Sequence, residues 1–138
     1  MRVLSRRYLA SRSVVKTARH VVESTVLSWG AEKGRAADAA LVTSELVTNA
    51  VAAAPYGEIR LTVFLISGGL AIEVWDSSSR VPAPRTPEVL AEVHYPVVDD
   101  TPDPGGWGLG IVDGLSLRSG FRCHAEGGKT VYAVLPWT

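Results

Sequence analysis

The sequence predicts a single α/β (α+β) domain whose elements run α-α-β-β, then a long connection, then α-β-β. Three observations carry this. Two apolar stripes of helical period precede residue 55, β-branched runs form one hairpin in the middle and another at the end, and a Pro-rich stretch separates them. The 138 residues fit one domain, taken as 1–138.

A strand near Arg6 to Leu9 is only faintly signalled. From Ser13 to Trp29, Val14, Ala18, Val21, Val22, Val26 and Trp29 keep helical spacing, with Ser11 or Ser13 to cap the start and Gly30 to end it. The second helix runs from about Ala36 to Ala54 and stops at Pro55-Tyr56-Gly57; its stripe is Ala39, Val42, Leu46, Ala50 and Ala53. Glu58 to Ile66 and Leu70 to Asp76 form a hairpin through Ser67-Gly68-Gly69. Alternation puts Leu70, Ile72, Val74 and Asp76 on one face, so Asp76 should lie at the edge of the core, facing a hydrogen-bonding partner.

Ser77 to Gly106 holds six of the eight prolines, and Glu88 to Asp103 carries five acidic residues and no basic one. A connection of this length is a functional lid or a disordered segment, with one helical turn expected at Glu88 to Glu92. It ends in Gly105-Gly106-Trp107-Gly108-Leu109-Gly110, expected as a glycine-rich turn opening onto a short helix. Ser119 to Ala125 and Thr130 to Leu135 read as the closing hairpin.

Composition excludes several classes. The 46% apolar share argues against intrinsic disorder, and the longest apolar candidate, Leu61 to Trp75, is broken by Ser67-Gly68-Gly69 and Glu73, too short for a membrane span. No apolar region follows the basic start, so a secretory signal is not expected and the chain reads as cytoplasmic. The single cysteine, Cys123, permits neither an intrachain disulfide nor a Cys-based zinc cage. His20, His94 and His124 have no metal-ligand spacing and read as structural or surface residues, and Trp29 and Trp137 as packing residues.

The net charge of zero conceals a split. Residues 1–36 carry eight basic side chains against Glu23 and Glu32, and the rest of the chain is acidic by the same margin. This fits a solvated helix face or a docking surface for an acidic protein. A nucleic-acid surface ranks third, because no aromatic residues interleave with the basic ones in a recognisable motif.

Two further features bear on chemistry. Glu45 and Asn49 stand four apart, on neighbouring turns of one helix face. An amide oxygen plus phosphates can hold Mg²⁺, and a carboxylate one turn away can deprotonate a nucleophile; a plain polar stripe has the same spacing. A glycine-rich turn before a helix can bring bare N–H groups to a phosphate, or can be a tight junction with no ligand.

In combination and order these segments resemble the GHKL (histidine kinase-like) ATPases. Glu45-Leu46-Val47-Thr48-Asn49-Ala50-Val51 resembles the family's asparagine box. Asp76 stands where its first glycine box has aspartate, Gly106-Trp107-Gly108-Leu109-Gly110 resembles the second glycine box, and Gly128-Lys129-Thr130-Val131 the last box. The resemblance spans about residues 6–136 and is strongest to the stand-alone anti-sigma-factor serine/threonine kinases and their actinobacterial ATP-binding relatives.

It implies a two-layer sandwich, with a mixed, mostly antiparallel sheet and helices on one face, and ATP with Mg²⁺ as cofactors. By the same resemblance Asn49 would hold Mg²⁺ and Glu45 would be the general base. Asp76 would accept from the adenine amino group and Thr130 would assist at the base. Gly106, Gly108, Leu109 and Gly110 would line the phosphates under a lid at about residues 80–106. Ser78 replaces the usual glycine after the aspartate, and Trp107 stands where relatives often carry a basic residue; tryptophan can stack but cannot neutralise phosphate.

Two functions follow from the resemblance. One is an anti-sigma-type protein kinase, transferring phosphate to an anti-anti-sigma partner and sequestering a sigma factor. The other is a degenerate binding module that holds a partner without phosphoryl transfer. Neither needs direct nucleic-acid or membrane contact, and homodimers occur among such relatives.

Overall fold

The computed structural model describes residues 2–78 and 104–137, with the side chains of 104–109 outside that description. The expected helical turn at Glu88 to Glu92 and nearly all of the expected lid lie outside the described residues.

Five strands form one sheet in the order β1-β2-β3-β5-β4, antiparallel at every pairing. They are β1 (Val3–Leu9), β2 (Glu58–Ile66), β3 (Gly69–Asp76), β4 (Arg118–Cys123) and β5 (Lys129–Pro136). Among the described residues the helices are α1 (Arg12–Ser28), α2 (Lys33–Ala53) and α3 (Pro104–Leu115).

Strand alternation decides which side chains meet the helices. Ile59, Leu61 and Val63 of β2, Leu70, Ile72 and Val74 of β3, and Val131, Ala133 and Leu135 of β5 are buried on one face. Against them pack Ala18, Val22 and Val26 of α1 and Ala39, Val42, Leu46 and Ala50 of α2. On the other face Arg60 stacks over the Trp75 ring at 4.4 Å, and Arg122 over Tyr132 at 5.0 Å. This is the sandwich that the resemblance implied.

Local chemistry explains the boundaries. Ser11 is the N-cap of α1 but makes no side-chain cap bond; its hydroxyl meets that of Ser13 at 3.1 Å. The other end closes as a Schellman turn. Ala31 N–H donates to Val26 and Gly30 N–H to Leu27, with Gly30 at φ +104°. The β2–β3 turn is tighter than expected, because Gly69 is already paired in β3. A Cβ there would meet Val134 Cγ1 at 2.8 Å, so this close strand approach requires glycine.

Two stretches depart from expectation. β1 begins at Val3 rather than near Arg6, pairing along its full length with β2. The glycine-rich stretch is a helix from Pro104 onward, not a turn. Proline suits the first helical position, where its missing N–H costs nothing. Burial of Val112 and packing of Leu115 and of α3 against α2 offset the ~1 kcal/mol that each interior glycine costs.

Candidate nucleotide site

α2 carries Glu45 and Asn49 one turn apart. Asn49 is buried, and its amide nitrogen has no hydrogen-bond partner. Glu45 is half-buried, and desolvation pushes its carboxyl above the ordinary glutamate range. α2 packs on both β3 and α3, so the elements bearing the predicted residues adjoin.

Asp76 ends β3 facing inward, as its phase required, and is fully buried. Its partner is one that the sequence reading missed. Lys129 opens β5 directly across from it, with Nζ 2.7 Å from Oδ2 and both side chains fully buried. Oδ1 accepts from the Ser78 backbone N–H at 2.8 Å. Burial pushes the Asp76 carboxyl above the usual aspartate range, against the opposing pull of Lys129 and of the Ser78 N–H. Gly128 crosses the strand end at φ +82°, so close that a Cβ would lie 2.5 Å from the Asp76 carbonyl oxygen.

Thr130 is on the other side of the sheet. It pairs with Trp75, and its hydroxyl lies 2.8 Å from His124 Nε2. The structure therefore brings Asp76 to Lys129 and separates Thr130 from both. A cleft of about 530 Å³ opens on this outer face, lined by Arg60, Thr62, Trp75, Arg122, His124 and Thr130 among others. Gly106, Gly108, Leu109 and Gly110 all belong to α3, and a Cβ on Gly110 would meet nothing within 4 Å.

The signal for Lys129 was present in the sequence. Lys129, Val131, Ala133 and Leu135 share a phase, the same pattern that marked Asp76 as inward. Starting the last strand at Thr130 left Lys129 in the turn.

Among the described residues no group of three or more His, Cys, Asp or Glu side chains could hold a metal ion. A Mg²⁺ shell built from one amide, phosphates and water needs no such group. The unpartnered Asn49 amide fits that role, since a half-turn about its last bond presents the oxygen in place of the nitrogen.

The sequence matches the histidine kinase-like ATPase domain over residues 9–135. The chain belongs to this family. No curated protein matches it. Among solved structures, this ATPase domain is similar to the RsbU and RsbW domains of Rv1364c from Mycobacterium tuberculosis (TM-score 0.67, 21% identity), covering 99% of this chain and 32% of that one. It is also similar to the SiaB–SiaC complex from Pseudomonas aeruginosa (TM-score 0.69, 15% identity), with 97% and 90% covered. Full-length ShkA in complex with AMPPNP gives a TM-score of 0.56 at 17% identity, with 96% and 31% covered. The chain thus spans about a third of the Rv1364c and ShkA chains. At these identities the structural likeness establishes the fold. No helix among the described residues is long and apolar enough to cross a membrane.

Proposed function

We propose that this histidine kinase-like domain binds Mg-ATP and works as an anti-sigma-type serine/threonine protein kinase. Its substrate is a small anti-anti-sigma protein, its sequestered partner is a sigma factor, and it works in the cytoplasm. The observation that carries the reading is the α2 pair: Asn49 buried with an unpartnered amide, and Glu45 one turn away with a carboxyl raised by desolvation. A carboxyl raised toward neutrality is a better proton acceptor than a fully solvated one.

Mg²⁺ would be held by Asn49 and would supply charge neutralisation on the triphosphate. Glu45 takes the proton of the partner's Ser or Thr hydroxyl as that oxygen bonds to the γ-phosphorus. The bond from phosphorus to the bridging oxygen breaks, and ADP leaves with its electron pair. Asp76 would accept from the base once Lys129 yields its oxygen, and the backbone of Gly106, Gly108, Leu109 and Gly110 would lie toward the phosphates.

A protein partner is supported by charge. Arg2, Arg6 and Arg7 on and beside β1 and Arg12, Lys16 and Arg19 on α1 are exposed, a basic layer suited to an acidic surface. Two of the similar structures hold more than this domain: a complex of two proteins, and a chain with a second domain.

The test is titration of ATP, with and without Mg²⁺, into the wild type, Asn49→Ala and Asp76→Asn, followed by phosphate transfer to a candidate partner. No saturable ATP binding by the wild type ends the kinase reading. The second reading, a module that binds a partner without transfer, is favoured by the closed Asp76–Lys129 pair, and would then stand.

A further inference from the structure

We propose that Lys129 decides whether a purine can be read at Asp76: its ammonium holds the carboxylate oxygen that a base amine would need. The inference rests on the reading of Asp76 as the base acceptor, and adds a residue that controls it.

Both carboxylate oxygens of Asp76 are engaged within the described residues. Oδ1 is taken by the Ser78 N–H at 2.8 Å and Oδ2 by Lys129 Nζ at 2.7 Å. Neither side chain has any solvent exposure, so a ligand reaches the carboxylate only by displacing what covers it. The flanking turn cannot be crowded further, since Gly128 already approaches the Asp76 carbonyl too closely for a Cβ. Register fixes the contact, because Asp76 and Lys129 are directly opposed residues of two central strands.

Exchange of partners is uphill. A hydrogen bond from an ammonium to a carboxylate is roughly twice as strong as one between neutral groups, and a base amine is neutral. Entry of a base therefore trades the stronger bond for a weaker one, and strands a buried ammonium unless Lys129 swings out to water. Among the described residues Lys129 is also the largest fully buried side chain, so it fills volume as well as valence. A short hydroxyl side chain at 129 would release Oδ2 and vacate that space together.

Calorimetric titration of Mg-ATP, Mg-GTP and Mg-tripolyphosphate into the wild type, Lys129→Thr and Lys129→Thr/Asp76→Asn tests this. Lys129→Thr should bind ATP about tenfold or more tighter than the wild type, the scale of one hydrogen bond to a charged group. The gain should be absent for GTP, whose 6-position cannot donate, absent for tripolyphosphate, and lost when Asp76 is also changed. Lys129→Gln, which exchanges the charged donor to Oδ2 for a neutral and more readily displaced one, should show a smaller gain with the same dependence on the base, and serves should the threonine variant not fold.

Equal ATP affinity in the wild type and both single variants would overturn the inference and leave ATP binding intact. A gain shared by all three ligands would overturn it too, showing a loosened domain rather than base recognition. Absence of ATP binding in every chain would remove the inference and the nucleotide reading together.

Discussion

Lys129→Met removes the ammonium and leaves the Asp76 carboxylate fully buried with only the Ser78 N–H to hold it. Breaking one side of a buried ion pair costs about 3–5 kcal/mol, because the surviving charge is uncompensated. A domain stable by about 5–15 kcal/mol loses a large part of its margin, and its Tm should fall on the order of 10–20 °C.

Replacing both partners is a different perturbation. Lys129→Met/Asp76→Asn buries no charge and keeps an acceptor for Ser78, so most of the loss should return.

The pH dependence follows from the direction of the Asp76 shift. Burial raises its folded pKa above the unfolded one, so its contribution to stability is present below the unfolded value and is lost as pH rises through the folded value. Removing Lys129 takes away two of the opposing influences and raises the folded value further. The deficit of Lys129→Met should therefore shrink at pH 5 and widen at pH 8. Urea melts of the three proteins at both pH values measure it. An equal deficit at the two pH values, or a double variant as unstable as the single one, would refute the reasoning.

Glu45→Gln should lower phosphate transfer about 10²–10⁴-fold while ATP affinity stays within about twofold, read by transfer rate against titration. In the wild type, the acid limb of the pH–rate profile should lie above the ordinary glutamate range, because Glu45 is raised. Gly114→Ala should raise stability by about 0.5–1 kcal/mol, since the position is helical and its Cβ would meet nothing within 4 Å, and thermal melts will read it. Gly110→Ala should stabilise the free protein similarly but weaken ATP binding if its backbone approaches phosphate. Gly128→Ala should destabilise by about 1–3 kcal/mol, as its positive φ and contact with Asp76 leave no room for a side chain.

Much of the fold was legible because periodicity and burial agreed. Val22, Val26, Leu46 and Ala50 lie on the predicted helical stripes, and Ile72, Val74 and Asp76 alternate as a half-buried strand must. β1 was faint because an edge strand can expose Ser5, Arg6 and Arg7, which leaves little alternation to read. The start of α3 was hidden for another reason. Glycines suppress local helix propensity, and the packing that overrides it, on α2, is tertiary.

At the site, the inward phase of Asp76 was legible from strand alternation alone. Lys129 and Thr130 show how much a strand boundary carries, since neighbouring residues of one strand point to opposite faces. Beginning that strand one residue late drew attention to the threonine that faces Trp75 and away from the lysine that faces Asp76.

The pairing of β3 with β5 has a consequence for how the chain can fold and diverge. Asp76 and Lys129 are 53 positions apart, yet they close one end of the pairing between two inner strands of the sheet. Non-local pairing of this kind forms more slowly than a local hairpin, so the hairpin of β2 and β3 is expected to form before its carboxylate meets a counter-charge. Until then the carboxylate is hydrated and carries no penalty. Closure entropy grows only with the logarithm of loop length, so doubling the connection between β3 and β5 would cost about 0.6 kcal/mol. A change of length there is therefore compatible with the sheet, and the ion pair at the end of its two inner strands, staying in register.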